Sequence, residues 1–109
     1  MYKDFLSERL AELRIQKGVS ARDMSLALGK ANNYINNLEK GKADPSMESF
    51  FYICEYLVVT PQEFFDENNS DPIALNEFIA EAEKLDFQEM FHILGIMKEL
   101  NSKNRNSQN

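Results

Sequence analysis

The 109-residue sequence has one cysteine, one histidine and no apolar run long enough to span a bilayer. A lone Cys54 excludes an intrachain disulfide framework and any multi-cysteine metal site. There is no secretory pattern of charge, apolar core and small-residue site, so a cytoplasmic protein with no membrane partner is expected. Catalytic signatures are missing as well: no Walker-type phosphate loop, no HExxH and no glycine-rich dinucleotide turn. His92 stands alone in an apolar helical stretch, and Cys54 takes a small core position of its helix; both read as structural side chains. The carboxylates of 63–89 read as a solvated acidic surface. No enzyme, no cofactor and no metal site is expected, and no solenoid-type repeat is visible.

The net charge of −6 at first argues against a polyanionic partner, because nucleic-acid binders are usually basic. Its distribution changes that conclusion. Residues 1–60 carry eight basic and eight acidic side chains, whereas 61–109 carry four and ten. Between 14 and 42, Arg14, Lys17, Arg22, Lys30, Lys40 and Lys42 are set against only Asp23 and Glu39. That region is locally positive.

Helix signals run through the whole chain and predict an all-α fold. A first helix is expected over about Lys3 to Lys17, with Leu6, Leu10 and Leu13 facing a core and Gly18 ending it. Ser20 N-caps a second helix whose Met24 and Leu28 point inward, and Gly29 suits a turn with positive φ. A helix over Ala31–Leu38, at about 100° per residue, puts Asn32, Asn33, Asn36 and Asn37 on one arc, with Ile35 and Leu38 roughly opposite. Asparagine is a weak helix former, so an exposed cluster of four costs stability. Its paired amide donor and acceptor are the groups that read adenine in a DNA major groove. Asp44-Pro45-Ser46 opens a fourth helix carrying Phe50, Ile53 and Leu57. Thr60-Pro61-Gln62-Glu63 is a capping box with proline at the first position of a fifth helix, where Phe64 and Phe65 close the core.

Taken in order, RLAELRIQKGVS, SARDMSLALG, NNYINNLEKGK and ADPSMESFFYICEYLVVTPQEFF resemble the helix-turn-helix domain of the Cro/phage-repressor (XRE-type) transcriptional regulators, from about Phe5 to Asp66. The resemblance implies a five-helix DNA-binding domain over residues 1–66. It puts Asn32, Asn33 and Asn37 at base-reading positions, with Asn36 as a fourth. Phosphate contacts would come from the Ser20–Arg22 amides, Arg22, Lys30, and Lys40–Gly41–Lys42. Arg14 and Glu39 match positions that form an intramolecular ion pair. The sequence departs from the family at Ala31, where a capping Ser or Thr is usual, and at Ala21, where Gln is frequent. It departs again at Ser25 in place of alanine and at Lys30 in place of an apolar residue.

The remainder reads as a linker at 67–71, a helical hairpin at 72–101 and a disordered tail at 102–109. Asp71-Pro72 opens the sixth helix, with Ile73, Leu75, Phe78, Ile79, Ala82 and Leu85. A second capping box, Asp86 to Glu89, opens the seventh. There Phe87, Met90, Phe91, Ile93, Leu94, Ile96, Met97 and Leu100 cover an arc of about 220°, against about 100° for an ordinary surface helix. Either the first domain or a second chain must cover the surplus; the polar linker favours a second chain, hence a homodimer. The expected function is sequence-specific double-stranded DNA binding by a small dimeric regulator, a repressor, on a roughly palindromic operator. An antagonist protein at the hairpin is implied by similar small regulators. An antitoxin neutralising a partner toxin, and an interaction module on a helix-turn-helix scaffold, are the alternatives.

Overall fold

The computed structural model describes residues 2–107, which form seven helices: α1 Tyr2–Lys17, α2 Ala21–Ala27, α3 Tyr34–Glu39, α4 Met47–Leu57, α5 Pro61–Phe64, α6 Pro72–Ala82 and α7 Phe87–Ser107. No strand occurs among the described residues. The chain divides into two compact units, one reaching Ile73 and the other beginning at Ala74.

The helix starts follow hydroxyl and carboxylate caps. Ser20 Oγ accepts from the Asp23 N–H at 2.9 Å, and Ser46 Oγ from the Ser49 N–H at 3.1 Å. Thr60 and Glu63 cap each other's backbone reciprocally at 3.0 and 2.9 Å, with Pro61 at the first helical position. Each bond satisfies a donor that a helix N-terminus would otherwise leave to water. α4 ends less comfortably. Val58 takes the left-handed conformation, φ 61° and ψ 43°, where glycine is the usual occupant.

The first unit is organised around Leu10, Leu13, Met24, Ile35, Leu38, Ile53, Leu57 and Phe64, all buried. The Phe50 ring meets Phe64 edge-on at 5.0 Å, the geometry preferred by the ring quadrupoles. Phe65 does not close the core as expected. Its ring stacks on Phe5 at 6.1 Å but stays 47 % exposed, because α5 stops after one turn and turns the next side chain outward.

The polar run after α5 is not a free linker. Arg9 is buried, and its guanidinium donates to the carbonyls of Phe64 at 2.7 Å, Glu63 at 2.8 Å, Asn69 at 2.6 Å and Asp66 at 3.3 Å. Gln16 Nε2 adds a bond to the Ser70 carbonyl at 2.6 Å. Pro72 is fully buried, and Ile73 packs against the core. The expected boundary at residue 66 therefore moves to Ile73: carbonyls that a polar sequence would leave in water converge on one cation from α1.

In the second unit the Asp86–Glu89 capping box forms, at 2.8 and 3.0 Å. α6 and α7 leave much of their apolar faces open. Leu75, Phe78 and Ile79 of α6 are exposed, as are Phe87, Met90, Phe91, Ile93, Leu94, Ile96, Met97 and Leu100 of α7. The tail is also corrected. α7 continues to Ser107, whereas 102–109 was expected to be unstructured. Its polar residues cannot pack a core, but the helix extends on main-chain hydrogen bonds, and Arg105 in the last turn suits the negative end of the dipole. Residues 108 and 109 lie outside the described chain.

Candidate nucleic-acid interface

α2 and α3 pack on each other across a turn in which Gly29 has φ +72°. The Gly29 N–H bonds to the Leu26 carbonyl and the Lys30 N–H to the Ser25 carbonyl, both at 3.0 Å. This closing pattern needs a left-handed residue, which glycine adopts without a Cβ clash.

α3 begins at Tyr34, three residues later than expected. Ala31 has no capping oxygen, and asparagines favour turns, so the first turn closes by a Tyr34 N–H to Ala31 carbonyl bond at 3.0 Å. The four asparagines therefore do not share a helical arc. Asn32 and Asn33 lie in the entry turn, and Asn36 and Asn37 lie on α3. Asn32, Asn33 and Asn36 are exposed; Asn37 is half-buried. Asn33 occupies the N-cap position but makes no side-chain cap bond.

A cap comes from elsewhere. Ser25, fully buried in α2, donates its hydroxyl to the Ala21 carbonyl at 2.7 Å and accepts from the Ile35 N–H at 2.9 Å. At the other end, Ser7 of α1 donates to the Leu38 carbonyl at 2.9 Å. Arg14 grips Glu39 bidentately, Nε to Oε2 at 2.6 Å and Nη2 to Oε1 at 3.0 Å, and Nη1 donates to the Val19 carbonyl at 2.9 Å. The hydrogen bond to Glu39 raises the affinity of Arg14 for its proton, with burial opposing it. α3 is thus held at both ends by side chains from its neighbours.

Arg22, Lys30, Lys40 and Lys42 are exposed around this helix, and the Lys30 ammonium lies 5.4 Å from the centre of the Tyr34 ring. The Ser20 hydroxyl is engaged as the cap of α2. Gly41 leaves the set of expected phosphate donors. Its N–H bonds to the Leu38 carbonyl at 3.1 Å, and the Lys42 N–H bonds to the Asn37 carbonyl at 2.9 Å. Those two amides terminate α3, and Gly41 takes φ +72° to let them do so. What this loop offers an anion is the two lysine side chains.

A family model described as a helix-turn-helix domain matches residues 7–70. The chain belongs to the helix-turn-helix domain family. The matched helix-turn-helix region includes Asn69 and Ser70, whose carbonyls Arg9 and Gln16 hold. No curated protein and no solved structure matches the chain. Ser7, Arg9, Gln16 and Ser25 had not been singled out for the contacts they make in the helix-turn-helix domain. Ser25 had a signal, being a serine where the family usually has alanine. Arg9 had none, because its carbonyl partners lie 54 or more residues away.

Proposed function

We propose that the chain is a sequence-specific double-stranded DNA-binding regulator of the Cro/phage-repressor (XRE) type, acting in the cytoplasm as a homodimeric repressor. The observation that carries this reading is the exposure of Asn32, Asn33 and Asn36 in α3 and its entry turn, together with the exposed cations Arg22, Lys30, Lys40 and Lys42 of the same helix-turn-helix segment. Amides hydrogen-bond base edges, and lysine and arginine neutralise phosphates without reading sequence. The half-buried Asn37 takes a lesser part. Ser20 caps α2, and the Ser20–Arg22 amides together with the Arg22 side chain meet the backbone. The open apolar faces of α6 and α7 support self-association, with two third helices in successive major grooves about 34–36 Å apart. An antagonist protein would compete for the same faces.

Selection from random double-stranded DNA at stated salt tests the reading. A roughly palindromic consensus is expected, with half-sites about one helical turn apart. Absence of any enriched sequence would overturn it in favour of a protein-interaction module.

A further inference from the structure

We propose that Ser25 is a positioning residue: its buried hydroxyl fixes the N-terminal end of α3 and thereby sets the sequence preference of the asparagine patch. The inference rests on the DNA-binding reading above. α3 has six residues, too few to hold a helix by its own hydrogen bonds. Its C-terminal end is gripped by Arg14 and Ser7 of α1. Its N-terminal end has no side-chain cap of its own, since Ala31 lacks an oxygen and Asn33 makes no cap bond.

Ser25 fills that role from the neighbouring helix. A serine hydroxyl has one proton to donate and lone pairs to accept with. Donation to the Ala21 carbonyl at 2.7 Å orients Oγ, leaving a lone pair for the Ile35 N–H at 2.9 Å. Ile35 is itself fully buried, so side chain and amide together pin this point of α3 in rotation and translation. Asn33 and Asn36 lie within two residues of it. Base readout demands placement within about 0.5 Å, which flanking hydrogen bonds of this kind provide. Releasing the Ile35 N–H lets the entry turn fray, so the exposed amides sample several positions. Phosphate contacts from flexible lysines tolerate that motion; bidentate base contacts do not.

The experiment compares wild type, Ser25→Ala and Ile53→Val on a selected site and on random DNA. Ile53→Val loosens the shared core from α4 while leaving the hydrogen bonds at both ends of α3 in place, and so controls for stability. Amide exchange at Ile35, measured by NMR, reads the cap without DNA. Ser25→Ala is expected to lower selected-site affinity about tenfold, the equivalent of one buried hydrogen bond. Random-DNA affinity and salt dependence should hold, and Ile35 should lose protection. Should Ser25→Ala not fold, Ser25→Cys keeps the size with a weaker acceptor and is expected to show a smaller loss of the same kind. An unchanged ratio of selected to random affinity, or an equal fall in Ile53→Val, overturns the positioning role. A wild type without sequence preference instead removes the DNA reading on which it rests.

Discussion

The Arg9 guanidinium donates to the Phe64 carbonyl at 2.7 Å across 55 residues of sequence, and the same group holds the carbonyls of Glu63 and Asn69. A carbonyl cluster of this kind stands in for a counter-charge. The carboxylate of Glu12, at 3.3 Å, is half in solvent. The α1 helix thereby ties down α5 and the segment that follows it.

Arg9→Ala should cost about 2–4 kcal/mol, since several acceptors lose a charged donor at once. Arg9→Lys should recover only part, because an ammonium cannot reproduce the planar fork. Urea unfolding measures both. An unchanged midpoint for Arg9→Ala would mean that the carbonyls hydrate without penalty.

Val58→Gly should stabilise the first unit. Val58 is β-branched, left-handed and 65 % exposed, so its side chain gives little packing in return for the strain. The left-handed conformation costs an L-residue about 1–2 kcal/mol. Main-chain bonds from Val58 to Glu55 and from Val59 to Cys54 survive the change. A rise of a few degrees in Tm, about 4–8 °C per kcal/mol for a domain this size, is expected. A fall would show that the valine packs more than its exposure implies.

Burial pushes the Cys54 thiol up to about 11, whereas an unfolded thiol ionises near about 8.5. Between those values the folded state binds the extra proton, so stability falls as pH rises through that window and is fully present below it. Wild type should therefore lose stability more steeply between about pH 9 and 11 than Cys54→Ala. Denaturant midpoints across that range decide it, and parallel slopes would exclude any contribution from Cys54.

The sequence was legible where one residue type carries one local task. Ser20, Ser46, Thr60 and Asp86 each open a helix, and Leu10, Leu13, Ile35 and Leu38 are buried. The Arg14–Glu39 contact followed from resemblance, not from periodicity. The expected start of α3 failed, because asparagine's preference for turns outweighed a helical pattern and moved Asn32 and Asn33 into the entry turn. Gly41 was read as a phosphate donor, but a helix terminus uses its own amides first. The tie from Arg9 to residues 63–70 was illegible because backbone carbonyls have no sequence signature.

Base-reading and phosphate contacts separate experimentally. Asn33→Ala should weaken operator binding by about 1–3 kcal/mol and relax preference at one base per half-site. Lys42→Ala should weaken binding on every sequence and lower the salt slope by about one unit per subunit. Titrations on selected and random duplexes at several salt concentrations distinguish them. Equal losses on both duplexes for Asn33→Ala would remove it from base readout.

The last prediction concerns where the chain can be cut. Residues 1–74 contain the whole carbonyl cradle of Arg9, the buried Pro72 and the partly buried Ile73, so this fragment should fold with a melting temperature near that of the full chain. Cutting at 66 removes the carbonyls of Asn69 and Ser70 and uncovers the core under Pro72, so residues 1–66 should melt well below 1–74. The exposed apolar side chains of α6 and α7 are absent from both fragments. Sedimentation should accordingly give a dimer for the full chain and a monomer for 1–74. Operator affinity should fall with the dimer, because each half-site then binds without the effective concentration that a linked second site provides. Leu94→Glu in the full chain should reproduce the monomer while leaving the first unit's melting unchanged, since Leu94 lies in the second unit. A monomeric wild type, or a 1–74 fragment that still dimerises, would assign the apolar faces of α6 and α7 to a different partner.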